Sequence, residues 1–306
     1  MIADFRLIAD FGLIAFGNRP SGIANQKSAI RNQQSEIRNL RECEMAELDS
    51  LPPGSFCWPE LGTTDPKAAA GFYRTVFGWD VDVQPIGPTE TYSMFKMRGR
   101  EVAAAYTLRD QERQYGVPPH WNTYVSVENA DAAAKRAQEL GGKVLAPPFD
   151  VMDAGRMAVL QDPTGATFQV WQAKRHIGTR LQREPGALCW TELATRDTRK
   201  AETFYTQLFG WNAKLGTDGG VEYTEFSAGG SPSGGMMAMP SQVPSQVPAH
   251  WTPYFQVTDC DASAAKATSA GGKTIVPPTD IPKVGRFAMI QDPQGAMFAI
   301  FKPSNT

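Results

Sequence analysis

What this chain has little of narrows the field first. Its 306 residues hold four cysteines, Cys43, Cys57, Cys189 and Cys260, and none forms a CxxC pair. That is too sparse for a disulfide framework. Positive charge is not in excess, with a formal net charge of −2, so nucleic acid and anionic membrane are not expected as partners. No apolar run is long enough to span a bilayer. Phosphate loops, nucleophile motifs and HExxH are all missing. What is there is ordinary for a soluble globular protein, 42% apolar and 20% charged residues. The length suits about two domains, and the expected location is the cytoplasm.

The first 44 residues differ from the rest. "MIADFRLIADFGLIAFG" is interrupted by Asp4, Arg6 and Asp10, which makes a poor signal peptide. "NQKSAIRNQQSEIRN" follows, polar and of low complexity, without a helical apolar stripe. Residues 1–44 are therefore expected to be a disordered or mis-called extension, with Met45 a natural beginning.

Beyond it the chain repeats itself. "CWPELGTTDPKAAAGFYRTVFGW" starts at Cys57 and "CWTELATRDTRKAETFYTQLFGW" at Cys189, without a gap across the block. Cys57 and Cys189 are repeat equivalents and read as small buried core residues. Cys57 to Leu61 reads as a strand. Asp65 can cap a helix, with Pro66 at its first position and Gly78 at its end. Ala69, Phe72, Tyr73 and Val76 make its apolar stripe. The second copy uses Asp197, Ala201, Phe204, Tyr205, Leu208 and Gly210. The aromatics of "FYxxxFGW" thus read as packing. Three strand-like runs follow, with Arg98-Gly99-Arg100 a plausible hairpin turn. A second unit, from "WNTYVSV" to "TFQVW", contains a helix over Asp131 to Leu140 and a turn at Asp162-Pro163-Thr164-Gly165. The later half repeats this through "GRFAMIQDPQGAMFAIF".

Four βαβββ units in two modules result, an α+β chain with modules at 55–174 and 187–302 and a linker at 175–186. The pattern resembles the vicinal oxygen chelate (VOC) superfamily of glyoxalases, bleomycin-resistance proteins and extradiol dioxygenases. "D…A..FY..vFGW" and "DPxGxxFxx" carry the resemblance. It implies that each pair of units curls its sheet into a cup that binds a small ligand. Enzymatic members hold a divalent metal there through His, Glu or Gln.

Alternation along the strands assigns the faces. Phe56, Trp58 and Glu60 are expected in the cup, with Cys57, Pro59 and Leu61 toward the helices. His120, Asn122, Tyr124 and Ser126 face inward, as do Gln169 and Trp171, and in the second module Met297, Ala299 and Phe301. Carried over from the family, the metal positions fall at Trp58, within Ala103 to Ala105, at Asn122 and at Gln169. In the second module they fall at Trp190, near Met236, at Thr252 and at Ala299. Indole, methyl and thioether groups do not replace oxygen and nitrogen ligands. Glu60 with His120, and Glu192 with His250, are the only inward ionisable pairs, too few for a tight site. Arg156 and Arg286 are either exposed or aimed at an anion, and "PSQVPSQVP" reads as a proline-rich linker.

The expectation is a two-module protein that binds a small organic molecule in its cups with no cofactor. Trp58, Tyr124 and Trp171 would supply flat apolar area, and Glu60, His120, Asn122 and Gln169 would orient the ligand. The second cup would use Trp190, Glu192, His250, Thr252, Tyr254 and Phe301. A metal-dependent lyase or dioxygenase, and a structural protein with self-filled cups, are the alternatives. The modules are expected to pack as a pseudo-symmetric pair, with homo-oligomers possible.

Overall fold

The computed structural model describes residues 47–86, 91–217 and 222–304; the expected extension 1–44 and Cys43 lie outside them. Strand β1 (Phe56–Thr63), helix α1 (Pro66–Phe77) and strands β2 (Asp80–Pro85), β3 (Thr91–Met97) and β4 (Arg100–Thr107) form one βαβββ unit. A short helix α2 (Asp110–Gln114) leads to β5 (His120–Ser126), α3 (Ala130–Glu139), β6 (Lys143–Val151), β7 (Gly155–Gln161) and β8 (Thr167–Ala173). The second module has β9 (Leu188–Thr195), α4 (Thr198–Phe209), β10 (Asn212–Gly216), β11 (Tyr223–Ala228) and β12 (Ser231–Ala238). It closes with β13 (His250–Gln256), α5 (Cys260–Ser269), β14 (Lys273–Ile281), β15 (Gly285–Gln291) and β16 (Met297–Pro303).

Local chemistry explains the repeats of strand and helix. Asp65 accepts the Ala68 N–H at 2.9 Å and Asp197 accepts that of Lys200 at 3.0 Å, capping α1 and α4. Gly78 and Gly210 end those helices at φ 75° and 68°, where a side chain would be strained. Arg98 and Gly99 both take positive φ, the turn that lets β3 and β4 pair directly. The proline-rich run of the second module is a loop held by Arg196, which donates to the carbonyls of Val243, Pro244 and Val247. In the first module the short helix α2 occupies the equivalent connection.

Each module is one mixed eight-stranded sheet, ordered β2-β3-β4-β1-β5-β8-β7-β6 and β10-β11-β12-β9-β13-β16-β15-β14. The two halves of a sheet meet at an antiparallel central pair, β1 with β5 and β9 with β13. One face of each sheet carries the helices. These faces share a single core containing Phe72, Tyr73 and Trp79 of the first module and Phe204, Tyr205 and Trp211 of the second. Phe77 lies 5.2 Å from Phe255, and Phe168 5.5 Å from Tyr205, ring to ring across the modules. The Trp79 indole donates to the Gly186 carbonyl and the Trp211 indole to that of Gly54, both at 2.8 Å. Each module is thus pinned by the segment that leads into the other.

The faces expected for Phe56 and Cys57 are corrected here. Phe56 does not face the cup: a bulge between Phe56 and Trp58 breaks the alternation. Phe56 packs on Trp211 and Trp251 in the shared core, and Cys57 joins the cup cluster beside Trp58. The linker is also more than a tether. The Thr179 N–H donates to Cys57 O, that of Arg180 to Glu101 O, and the Gln182 side chain to Phe56 O, each at 2.8 Å. The linker therefore fills the gap where β1 and β4 splay apart.

Candidate functional site

Opposite the helices, the first sheet curves around a second, smaller apolar cluster: Cys57, Trp58, Ala104, Tyr124, Met157 and Trp171. Gly155 has a packing reason. A Cβ there would come within 2.3 Å of the Trp171 ring, and one at Gly285 within 2.6 Å of Phe301. The bare backbone lets each aromatic lie across the neighbouring strand.

At the centre sits Glu60. Tyr92 donates to its Oε1 at 2.8 Å and Tyr124 to its Oε2 at 2.7 Å, while the Trp58 indole donates to Tyr92 at 3.4 Å. Burial raises the Glu60 carboxyl above its ordinary range, against the pull of the two tyrosine hydrogen bonds. The second cup repeats the arrangement. Trp190 donates to Tyr223 at 2.8 Å and Tyr254 to Glu192 at 2.8 Å, and burial raises the Glu192 carboxyl against the pull of its tyrosine neighbours. Gly235 makes room for this: a Cβ there would sit 1.9 Å from the Tyr223 hydroxyl. Tyr92 and Tyr223 were not singled out from sequence. Aligning "TYSMFKM" with "EYTEFSA" shows the repeated tyrosine that marks them.

Asn122 and Gln169 bond to each other, Gln169 Nε2 donating to Asn122 Oδ1 at 2.7 Å. The amide of Asn122 reaches the Tyr106 hydroxyl at 3.3 Å, and Tyr106 donates to Glu112 on α2 at 2.9 Å. Tyr106 and Glu112 were likewise missed. In the second cup Thr252 and Ala299 hold the places of Asn122 and Gln169, both buried, and Tyr254 and Phe301 those of Tyr124 and Trp171.

His120 and His250 do not join Glu60 and Glu192 in any hydrogen bond. Register places His120 opposite Gly62 and His250 opposite Ala194, and each ring bonds through Nδ1 to a carbonyl two residues back, Pro118 O and Pro248 O. His176 was not anticipated. Its ring stands edge-on to Trp58 at 4.6 Å, bonds to Glu101 at 3.1 Å, and its carbonyl accepts from Trp171 at 2.8 Å. It covers the apolar floor of the first cup, where Trp58 and Trp171 are only 4% and 6% exposed. Trp190, Phe287 and Phe301 of the second cup are half-buried. Arg156 and Arg286 are engaged elsewhere. Arg156 grips Asp131 at 2.7 and 2.9 Å and Arg286 grips Asp261 at 2.7 and 2.8 Å, each tying a strand to a helix start.

The metal positions of the resembled family can now be tested. The residues at the cup face there are Trp58, Ala104, Asn122 and Gln169, and Trp190, Gly235, Thr252 and Ala299. The two amides are already bonded to each other, and among the described residues no three His, Cys, Asp or Glu side chains come together. This donor set does not fit a divalent ion. Among the described residues, no helix is long and apolar enough to cross a membrane.

Comparison with known proteins agrees with the architecture. The family described as "Glyoxalase/Bleomycin resistance protein/Dioxygenase superfamily" matches residues 56–170 and 187–300. A Mycobacterium tuberculosis protein named "Putative glyoxylase CFP32" is 45% identical over 249 residues, 81% of this chain and 94% of its own length. The "Anthracycline biosynthesis protein DnrV" of Streptomyces peucetius is 35% identical over 260 residues, 81% of this chain and 93% of its own. Among solved structures, the Mn(II)-bound glyoxalase of Novosphingobium aromaticivorans superimposes with a TM-score of 0.57 at 15% identity, covering 82% of each chain. The 2,3-dioxygenase LapB of Pseudomonas sp. KL28 gives 0.56 at 14% identity, over 85% of this chain and 94% of its own.

Proposed function

This chain belongs to the glyoxalase/bleomycin resistance protein/dioxygenase superfamily, and from that premise we propose that it binds small organic molecules in its two cups without the metal used by the family's enzymes. The observation that carries the reading is a carboxyl gripped by tyrosine in each cup, Glu60 by Tyr92 and Tyr124 and Glu192 by Tyr254. Placing a carboxyl in an apolar hollow destabilises the fold unless its hydrogen bonds are satisfied. Yet Glu60 and Glu192 are both there, both gripped, and both still partly open to the cup. A buried carboxyl with a raised pKa can donate a hydrogen bond when protonated and accept one when not, which suits it to a polar group on a ligand.

The aromatic walls favour a flat apolar body. The relative named for anthracycline biosynthesis is in keeping with that shape. In the second cup the half-buried Trp190, Phe287 and Phe301 leave this wall accessible. In the first, His176 covers it, and the accessible end is the polar one, with Glu60, Tyr106 and His120 half-buried. Native mass spectrometry of gently purified protein tests the proposal. A co-purifying organic mass in the wild type, diminished in Glu60→Ala or Glu192→Ala, is the expected result. Absence of any ligand, together with no binding from an aromatic fragment set, would leave the cups self-filled and end this reading.

A further inference from the structure

Gln169 is 4% exposed, and its Oε1 is buried with no hydrogen-bond partner among the described residues. Which atom of this amide is left over is fixed from outside. Glu112 uses both carboxylate oxygens as acceptors, Oε2 from the Arg109 N–H at 2.7 Å and Oε1 from Tyr106 at 2.9 Å. A carboxylate has no hydrogen to give, so the Tyr106 hydroxyl must donate to it. That hydroxyl can then only accept from Asn122, which presents its NH2 group at 3.3 Å. Asn122 therefore turns its oxygen toward Gln169, and Gln169 must answer with its NH2 group at 2.7 Å. The amides of Asn122 and Gln169 are thus both oriented by the carboxylate on α2. The terminal atom, directed inward on the cup face of β8, is an acceptor.

A buried acceptor without a donor is a standing penalty on the folded state. It is also a selector, because a ligand that supplies a hydrogen relieves the penalty and one that cannot does not. The second cup has Ala299 at this place and no such atom. We infer that Gln169 makes the first cup selective for molecules bearing a hydroxyl or amino hydrogen beside a flat ring, so that the two cups of one chain recognise different ligands. This rests on the proposed binding function. Met94 and Met157, unbranched thioethers, are the most adaptable side chains of the cup, and the Met157 sulfur lies 3.9 Å from the Tyr124 hydroxyl.

The test uses a matched pair of probes, 1-naphthol and 1-methoxynaphthalene, which share a ring system but differ in the donated hydrogen. Indole N–H signals in NMR report each cup separately, Trp58 and Trp171 for the first and Trp190 for the second. In the wild type the first cup is expected to bind the naphthol about tenfold more tightly than the ether. Gln169→Met should bring that ratio close to one. Glu112→Gln changes the one half-buried residue of the otherwise exposed helix α2 and leaves the cup's own side chains in place. It lets the amide chain reverse and should also reduce the ratio. Neither variant should alter the ratio at Trp190. A first-cup ratio near one in the wild type, or one unchanged in both variants, overturns the inference and leaves the binding proposal standing. If neither probe perturbs Trp58 or Trp171, the binding proposal for that cup fails, and the inference with it.

Discussion

Tyr73, on the helix of the first module, donates its hydroxyl hydrogen to Asp292 Oδ2 in the last turn of the second, 2.9 Å away and 219 positions on. Tyr205 does the same to Asp162 at 2.9 Å. Each tyrosine also accepts an indole hydrogen, from Trp121 at 3.1 Å and Trp251 at 2.8 Å. The other oxygen of Asp292 accepts the N–H groups of Gln294, Gly295 and Ala296, and that of Asp162 those of Thr164 and Ala166. One aspartate thus shapes a turn in its own module and anchors a helix of the other.

Removing either hydroxyl strands two buried partners at once, a carboxylate oxygen and an indole N–H. Tyr73→Phe and Tyr205→Phe should each destabilise by about 1–3 kcal/mol. The two sites are separate, so the double variant should be close to additive. Urea unfolding measures this. A loss below about 0.5 kcal/mol in both single variants would show that the aromatic packing alone holds the modules together.

The carboxyls in the cups give a pH signature of definite sign. Glu60 and Glu192 titrate above the ordinary value of 4.5 in the folded chain. As pH rises from about 4.5, the unfolded chain releases these protons first, so their contribution to stability falls until the folded pKa is passed. Glutamine does not titrate. Glu60→Gln should therefore gain stability relative to wild type as pH climbs through this window, and Glu192→Gln likewise. Chemical denaturation at a series of pH values reads the difference. A relative loss with rising pH would refute the assignment.

The shared core predicts how the modules behave apart. Chains ending or beginning near Arg183 would expose Tyr73, Phe77 and Trp79, or Tyr205, Phe209 and Trp211, to water. Each half alone should aggregate or self-associate in size-exclusion chromatography, and co-expressed halves should elute together. Two soluble, folded monomeric halves would contradict the latch.

Metal analysis is expected to follow the donor chemistry of the cups. Protein purified without chelator should carry nickel, zinc, iron and manganese well short of one equivalent per module. One tightly held equivalent, lost in Glu60→Ala and His120→Ala together, would restore a metal-based reading.

The architecture was legible because its signals are local. Asp65, Pro66 and Gly78 specify a helix start and stop within one window, and the repeat copies the signal. The inward faces of β5 and β8 followed from strict alternation. Phe56 did not, because a bulge shifts parity without a signature in composition. The tyrosines around Glu60 escaped because strand pairing, not spacing, brings Tyr92 beside it, 32 positions away. The tyrosine of "FYxxxFGW" was read as packing, and it does pack. Its hydroxyl partner lies in the other module, beyond the reach of any pattern confined to one repeat.

Gln169 and Ala299 occupy equivalent places in a duplicated chain, yet they differ. In an assembly of two identical subunits that difference is unattainable, since every change to one cup is copied into the other. Joining the halves in one polypeptide removes the copying. The latch can stay mirrored, because both sides of it are under the same mechanical demand, while the lining of each hollow is free to change on its own.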